Sequence, residues 1–505
     1  KRGTFQKTAA LRKAFSFKIN MKILSLLSAL ALLFSCATPP PPPPPASFGA
    51  TPSPQQIAWH RLEYYAFVHF NINTFSDVEW GHGKETPAIF NPTQLDCRQW
   101  ARICKAAGMK GIIITAKHHD GFCLWDSKFT KHDVASSPLR GGKGDLLREL
   151  AEACKEYGLK MGIYMSPWDQ NSPIYGTPGY NDYFKKQLEE ALTGYGDIFE
   201  VWFDGAVGEE FKGKMVYDWK GFHEVVRRCQ PNAVIFSDAG PEVRWVGNEN
   251  GFANRTNWCT LNRDDYFPGT PRYLELRSGN KNGTHWLPAE ADVSIRPGWY
   301  YHAAQDSLVK TADQLEAIYY KSVGRNANLL LNLPVDRRGL VHENDSAALA
   351  QLRQRLDATF TVNFSKSQKA TASNVRGVST QFAARNVLDG DYATFWTTDD
   401  SVKNASLEIQ LDKPQKINVI SLGEHLPLGQ RVEAFSIEAK VNGEWKKLAE
   451  GTTIGNKRML TFPAVESGAF KINILSAMAP PALAEVGLFF RPHENELLNN
   501  LEGAD

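Results

Sequence analysis

From about Trp59 onward the chain alternates short apolar runs, rich in β-branched and aromatic residues, with longer stretches of helical periodicity. The strand candidates are Ala66–Phe70, Gly111–Ala116, Lys160–Met165, Phe199–Phe203, Ala233–Ser237, a weaker Val243–Val246, Leu287–Ser294 and Asn328–Leu333. Helical patterns lie between them, among others Asp96–Ala107, Asp145–Tyr157, Tyr180–Gly194, Trp219–Cys229 and Thr311–Val323. Eight strands alternating with helices over about 300 residues predict an α/β fold, a parallel (β/α)8-type barrel. A doubly wound sheet is the weaker reading, because no GxGxxG follows any of these strands.

The texture changes after a last helix near Glu343–Asp357. Short alternating strands separated by turns follow, at Ser406–Leu411, Val419–Leu422, Ala434–Val441, Trp445–Glu450 and Ala469–Ile474. They predict a C-terminal all-β sandwich. The expected boundaries are a barrel over 58–362, a sandwich over 363–491 and a polar tail over 492–505.

The N-terminal segment reads differently. Residues 1–35 hold seven Lys and Arg and no acid; without them, 50 basic residues face 55 acidic ones, a balance of −5. Such a mildly acidic body lacks the electrostatic footprint of a nucleic-acid binder. Met21-Lys22 and the apolar run Ile23–Phe34 fit the core of a signal peptide, and the run is too short to span a bilayer of about 30 Å. It ends Leu33-Phe34-Ser35-Cys36, which resembles the lipobox of bacterial lipoproteins. Residues 1–35 are expected to be leader and signal peptide, and 36–57 a lipidated Cys36 with a stiff spacer around the run Pro39–Pro45. The implied location is the periplasm or outer membrane of a bacterium, with the lipid as the sole membrane contact. The other cysteines show no zinc spacing, and no disulfide is assigned.

In a barrel, reactive groups gather at the C-terminal ends of the strands. Reading those ends in order gives His69, then Lys117-His118-His119-Asp120-Gly, then Tyr164 with Trp168-Asp169. Next come Trp202-Phe203-Asp204-Gly205, Arg244-Trp245 with Asn248-Glu249, and Glu290 with Asp292. The residues alone leave alternatives open. The histidines and Asp204 could hold a divalent metal. Asp204 could cap a helix, and Glu249 could be a solvated turn residue.

The strings YAFVHFNINTF, TAKHHDGFCLWDS, GIYMSPWD, VWFDGA and RWVGNENG closely resemble α-L-fucosidases of glycoside hydrolase family 29 over about Trp59–Val362. The string Pro288–His302, PAEADVSIRPGWYYH, resembles the branch of that family preferring α-1,3/1,4-linked fucose in Lewis-type glycans. The resemblance implies an exo-acting, retaining mechanism on fucosylated oligosaccharides, with two carboxylates flanking the glycosidic bond and no cofactor for catalysis. It places the nucleophile at Asp204 and the acid/base at Glu249, with Glu290 as runner-up. Fucose hydroxyls would meet His69, His118, His119, Tyr164 and Glu79, its methyl face would meet Trp80 and Trp202, and Arg244 would support the acid/base loop. Two other readings stand beside this one: a broad or α-1,2-leaning fucosidase, and a non-catalytic glycan-binding surface protein.

The text of Lys369–Phe490, with Asn386-Val-Leu-Asp389-Gly-Asp391-Tyr-Ala-Thr394-Phe-Trp396 and Ala484-Glu485-Val, resembles the discoidin-like (F5/8 type C) sandwich of carbohydrate-binding modules. That likeness implies a candidate structural calcium near Asp389, Asp391, Thr394 and Glu485.

Overall fold

The computed structural model describes residues 42–269 and 272–498. The leader, Cys36, the start of the proline run and the end of the tail lie outside the described residues.

Eight parallel strands close into a barrel. They are β1 (Tyr64–Val68), β2 (Gly111–Lys117), β3 (Lys160–Met165), β4 (Ile198–Phe203), β5 (Val234–Ser237), β6 (Val243–Trp245), β9 (Ala289–Ser294) and β10 (Ala327–Asn332). A small hairpin of β7 (Thr260–Leu261) and β8 (His285–Trp286) interrupts the order, and β1 closes on β10. The helices start where side-chain oxygens can take orphan N–H groups: Asp96, Asp145 and Asp218 cap those at Cys97–Ala106, Leu146–Tyr157 and Trp219–Cys229. The alternation is not complete. Between β5 and β6 the chain turns in five residues, and between β6 and β9 it makes a long excursion whose described residues hold only the hairpin and short helical turns.

Strand periodicity sets what fills the barrel, because side chains two apart share a face. On β4, Glu200, Trp202 and Asp204 (just past the strand) follow this spacing from floor to mouth; on β9, Glu290, Asp292 and Ser294 do so. The register pairs Asn328 with Glu290, Leu330 with Asp292 and Asn332 with Ser294. Tyr65, Phe67, Ile113, Tyr164, Trp202, Val234, Phe236 and Leu330 make the apolar interior, and Trp59 plugs its base.

The C-terminal domain is antiparallel, with strands β11 (Lys369–Ala372), β12 (Trp396–Thr397), β13 (Ala405–Glu424), β14 (Val432–Val441), β15 (Glu444–Gly451), β16 (Arg458–Ala477) and β17 (Ala482–Phe489). Two expected strands, Ser406–Leu411 and Val419–Leu422, are one element, bent by a register shift between Gln410 and Gln415. The domain is stitched to the barrel by buried polar contacts. Asn257 takes the Thr453 hydroxyl as acceptor for its N–H at 2.8 Å, and Asn456 N–H donates to Asn326 Oδ1 at 2.7 Å.

Candidate active site

A cleft opens at the C-terminal mouth of the barrel, lined by Phe67, His69, Glu79, Trp80, His118, His119, Tyr164, Trp202, Asp204, Glu249, Asp292 and Trp299. Nine of the eleven residues expected at the site, counting the runner-up Glu290, meet here.

Asp204 follows β4 and keeps a quarter of its side chain exposed. Its Oδ2 accepts the Tyr164 hydroxyl at 2.9 Å and its Oδ1 accepts the Ala206 N–H at 2.7 Å. The local turn, not a helix cap, holds it: residues 204–208 form no helix. His119 Nε2 lies 3.8 Å from Oδ2. Gly205 follows because a Cβ there would lie 2.4 Å from Gly269 N and 2.9 Å from Asp238 Oδ2. The glycine of Trp-Phe-Asp-Gly is therefore a close-approach residue.

The histidines are hydrogen-bonding groups rather than charges. Burial depresses all three; His69 falls to about 3, and His118 is lowered further by its neighbours His119 and His69. His69 Nδ1 pairs with Asn332 Oδ1 at 2.8 Å, and His119 Nδ1 with Ser166 Oγ at 2.7 Å. Among the described residues His118 Nδ1 is buried without a hydrogen-bond partner, with Asp120 Oδ2 4.0 Å away. A neutral imidazole offers one donor and one acceptor, which suits sugar hydroxyls. Among the described residues no three His, Cys, Asp or Glu side chains converge as a metal-holding group.

The rest of His-His-Asp-Gly builds the wall. Asp120 accepts from Asn71 Nδ2 (2.7 Å), Asn73 Nδ2 (3.1 Å) and Phe122 N–H (2.7 Å), joining the loop after β1 to that after β2. Gly121 has φ +83° and faces Asp169, which Lys117 holds in a fully buried ion pair at 3.0 Å. Trp202 forms the floor, stacked between Tyr164 (5.1 Å) and Phe236 (4.1 Å). Trp80 stands at the rim, 62 % exposed.

Glu249 sits at the solvent edge of the cleft, where Trp299 Nε1 donates to its Oε2 at 3.3 Å. Loss of hydration raises its pKa; Trp299 opposes this, while the charges of Asp204 and Glu79 add to it.

Two expected residues lie elsewhere. Glu290 is fully buried, two residues and hence about 6.5 Å below Asp292 on the same face of β9. It accepts Trp202 Nε1 at 2.9 Å and the Tyr65 hydroxyl, so it supports the floor from beneath rather than facing the cleft. Arg244 also points away. Val243 faces the barrel interior, so its neighbour faces out, and the guanidinium binds Leu276 O (2.9 Å), Leu287 O and Asn257 Oδ1 (2.7 Å). The cleft instead uses Asp292, whose Oδ1 accepts Trp245 Nε1 at 2.7 Å and whose burial raises its pKa far above the carboxylate range. Asp292 is already among the strand-end residues, one inward position nearer the mouth than Glu290.

The expected calcium ligands are largely occupied by the turn itself. Asp389 accepts Asp391 N–H (2.8 Å) and the Thr394 hydroxyl (2.7 Å), and Asp391 accepts Ala393 N–H (2.9 Å). Among the described residues Glu485 Oε2 is buried without a hydrogen-bond partner; burial, then the Asp389 charge, push that carboxyl up to about 7.

Comparison with known proteins follows the same division. The Alpha-L-fucosidase family profile matches residues 48–359, and the F5/8 type C domain profile matches 369–486. The chain is 42% identical to Alpha-L-fucosidase 1 of Arabidopsis thaliana over 443 residues, 87% of each chain. The crystal structure of SpGH29 superposes with a TM-score of 0.84 at 37% identity, covering 89% of this chain and 100% of that one. A Ruminococcus gnavus GH29 fucosidase in complex with fucose superposes with a TM-score of 0.83 at 31% identity, covering 91% and 98%. With a carboxylate-bearing cleft at the barrel mouth and these matches across both domains, the chain belongs to the α-L-fucosidases of glycoside hydrolase family 29 and carries a C-terminal F5/8 type C domain.

Proposed function

We propose that the protein is an exo-acting, retaining α-L-fucosidase that removes α-1,3/1,4-linked fucose from branched, Lewis-type glycans. The observation that carries this reading is the pairing of Asp204 and Glu249 in one cleft, in opposite environments. Asp204 accepts hydrogen bonds from the Tyr164 hydroxyl and the Ala206 N–H, which fix the direction of its carboxylate, as a nucleophile requires. Glu249 is raised by desolvation and by the neighbouring carboxylates, as a group that must deliver a proton requires. Asp204 attacks the anomeric carbon while Glu249 protonates the departing sugar oxygen. Glu249 then takes a proton from the water that hydrolyses the fucosyl ester. The linkage preference rests on the Pro288–His302 string, whose Trp299 forms part of the cleft.

The test is release of fucose from a Lewis-type trisaccharide and from an α-1,2-fucosyl disaccharide by wild type, Asp204→Ala and Glu249→Gln. Release from the Lewis substrate alone, lost in both variants, supports the reading. Cleavage of only the α-1,2 substrate overturns the linkage assignment, and an active Glu249→Gln removes Glu249 from its role. Membership of a hydrolase family with both carboxylates in the cleft sets aside the non-catalytic glycan binder.

Two accompanying features are also proposals. Export with a lipid anchor at Cys36 rests on the Leu33-Phe34-Ser35-Cys36 string, and Cys36→Ala should move the protein from the membrane fraction to the soluble one. Calcium in the C-terminal domain rests on the orphan Glu485 oxygen, with Asp389, Asp391 and Thr394 beside it.

A further inference from the structure

Glu79 lines the cleft, yet three donors from the segment after β9 already engage its carboxylate. Its Oε2 accepts Trp299 N–H at 3.0 Å and Tyr300 N–H at 3.4 Å, and its Oε1 contacts His302 Nε2 at 2.7 Å. The other ring nitrogen of His302 lies 2.9 Å from Asp77 Oδ1. A carboxylate oxygen only accepts, so an imidazole between two carboxylates satisfies both only when both of its nitrogens carry hydrogen. His302 therefore sits in a seat shaped for an imidazolium. The contact is built in closely: a Cβ on Gly298 would lie 2.3 Å from Glu79 Oε1 and 3.2 Å from His302 Cδ2.

The consequence reaches Glu249 through Trp299. That residue's main chain is fixed by Glu79, its ring lies against His69 (centroids 5.2 Å apart), and its indole N–H donates to Glu249. We propose that His302 is a positioning residue for the acid/base carboxylate: as an imidazolium between Asp77 and Glu79 it fixes the 298–300 turn and sets Trp299 against Glu249. This rests on the reading of Glu249 as acid/base given above.

The charged groups facing His302 are Asp77 and Glu79, with Arg337 Nη2 beyond, 3.5 Å from Asp77 Oδ1. Burial disfavours the imidazolium, but the hydrogen bonds and charges of Glu79 and Asp77 outweigh it and raise the pKa above the ordinary value. When pH rises through that raised pKa, one of the two contacts must be lost, because the neutral ring has a single donor. The turn is then held less firmly, and acid catalysis falls on the alkaline side.

The experiment compares kcat and KM from pH 4.5 to 9 for wild type, His302→Gln and His302→Ala, with a Lewis-type trisaccharide and with α-L-fucosyl fluoride. A sugar leaving group needs the Glu249 proton, whereas fluoride departs with far less help. His302→Ala should lower kcat on the trisaccharide by about tenfold or more, with KM moving by less than about threefold and a smaller loss on the fluoride. His302→Gln, which keeps one donor, should recover part of kcat and lose the His302 contribution to the alkaline limb, leaving the limb set by Glu249 alone. Imidazolium proton resonances in the wild type that vanish in both variants would report the charge directly, and thermal melts establish that the variants are folded. Equal losses on both substrates, or an unchanged pH profile, overturn the proposal. Glu249→Ala with added azide separates the two readings. Without fucosyl azide the assignment of Glu249 fails; with it, an unaffected His302→Ala overturns the His302 proposal alone.

Discussion

Tyr164 donates its hydroxyl hydrogen to Asp204 Oδ2 at 2.9 Å, and the two residues come from adjacent strands whose register places Tyr164 beside Trp202. One hydrogen bond thus joins the floor of the cleft to the carboxylate at its mouth. The carboxylate must be aimed, and a hydroxyl donated from the buried wall does this. Tyr164→Phe removes only that oxygen and leaves the ring stacked on Trp202. A hydrogen bond to a charged group is worth about 1.5–3 kcal/mol, so kcat should fall by roughly 10- to 100-fold. The check is steady-state kinetics with circular dichroism to show an unchanged fold; a loss below twofold would mean that Ala206 N–H alone aims Asp204.

Gly205 makes a second prediction because its reason is steric. Gly269 N and Asp238 Oδ2 occupy the space a Cβ would need, at 2.4 and 2.9 Å. Gly205→Ala must push the 268–269 main chain outward or rotate the turn that carries Asp204. Overpacking of this kind costs about 1–3 kcal/mol. The melting temperature should drop by a few degrees, and kcat/KM should fall more than the stability change accounts for. Full activity in the variant would show that the loop yields without moving Asp204.

How much of this was legible in the sequence follows from periodicity. The barrel strands were readable because each is an apolar run ending in polar residues, and the ends, taken in chain order, contain His69, His118, His119, Tyr164, Asp204 and Glu249, all in the cleft. Depth within a strand was not read. Glu290 and Asp292 share a face of β9, and only the register shows that Glu290 lies one layer down. Arg244 failed for the opposite reason, since its parity puts it outside when Val243 is inside. The β7–β8 hairpin has two residues per strand, too few for any pattern to emerge. His302 was inside a quoted string, but its two carboxylate partners come from Asp77 and Glu79, more than 200 positions away.

Beneath Trp202 the barrel interior holds a carboxyl pair that gives a pH prediction. Glu200 is fully buried, accepts Trp59 Nε1 at 2.9 Å, and leaves Oε1 with no donor. A proton held on Glu200 removes the repulsion between this orphan oxygen and the neighbouring Glu290 charge. Burial, then the charge of Glu290, raise Glu200 far above the usual range, and burial raises Glu290 as well. The folded protein therefore holds more protons here than the unfolded chain once pH exceeds the ordinary carboxylate pKa of about 4.3, so stability falls as pH rises from there. Glu200→Gln replaces that proton with an amide donor. Its melting temperature should decline less steeply than that of wild type between pH 5 and 8, with the fold intact. Parallel slopes would show that the pair holds no such proton.

The C-terminal domain supplies the last test, because Glu485 is expensive as it stands. Its Oε2 is buried and unpartnered, and its carboxyl is pushed to about 7 by burial and by Asp389. Left to itself it keeps a proton at mildly acidic pH. A calcium ion bound by Glu485 and the Asp389–Thr394 turn would displace that proton, so the stabilisation by calcium must strengthen as pH rises through about 7. Calorimetry with calcium chloride and with EGTA should show a higher melting temperature in calcium at pH 8 and little difference at pH 5.5. Glu485→Gln, which cannot ionise, should melt alike in both. Fucosidase activity measured below the melting transition should not follow the ion, because the catalytic carboxylates lie in the barrel. A calcium effect that is the same at both pH values, or that survives Glu485→Gln, would place the ion elsewhere.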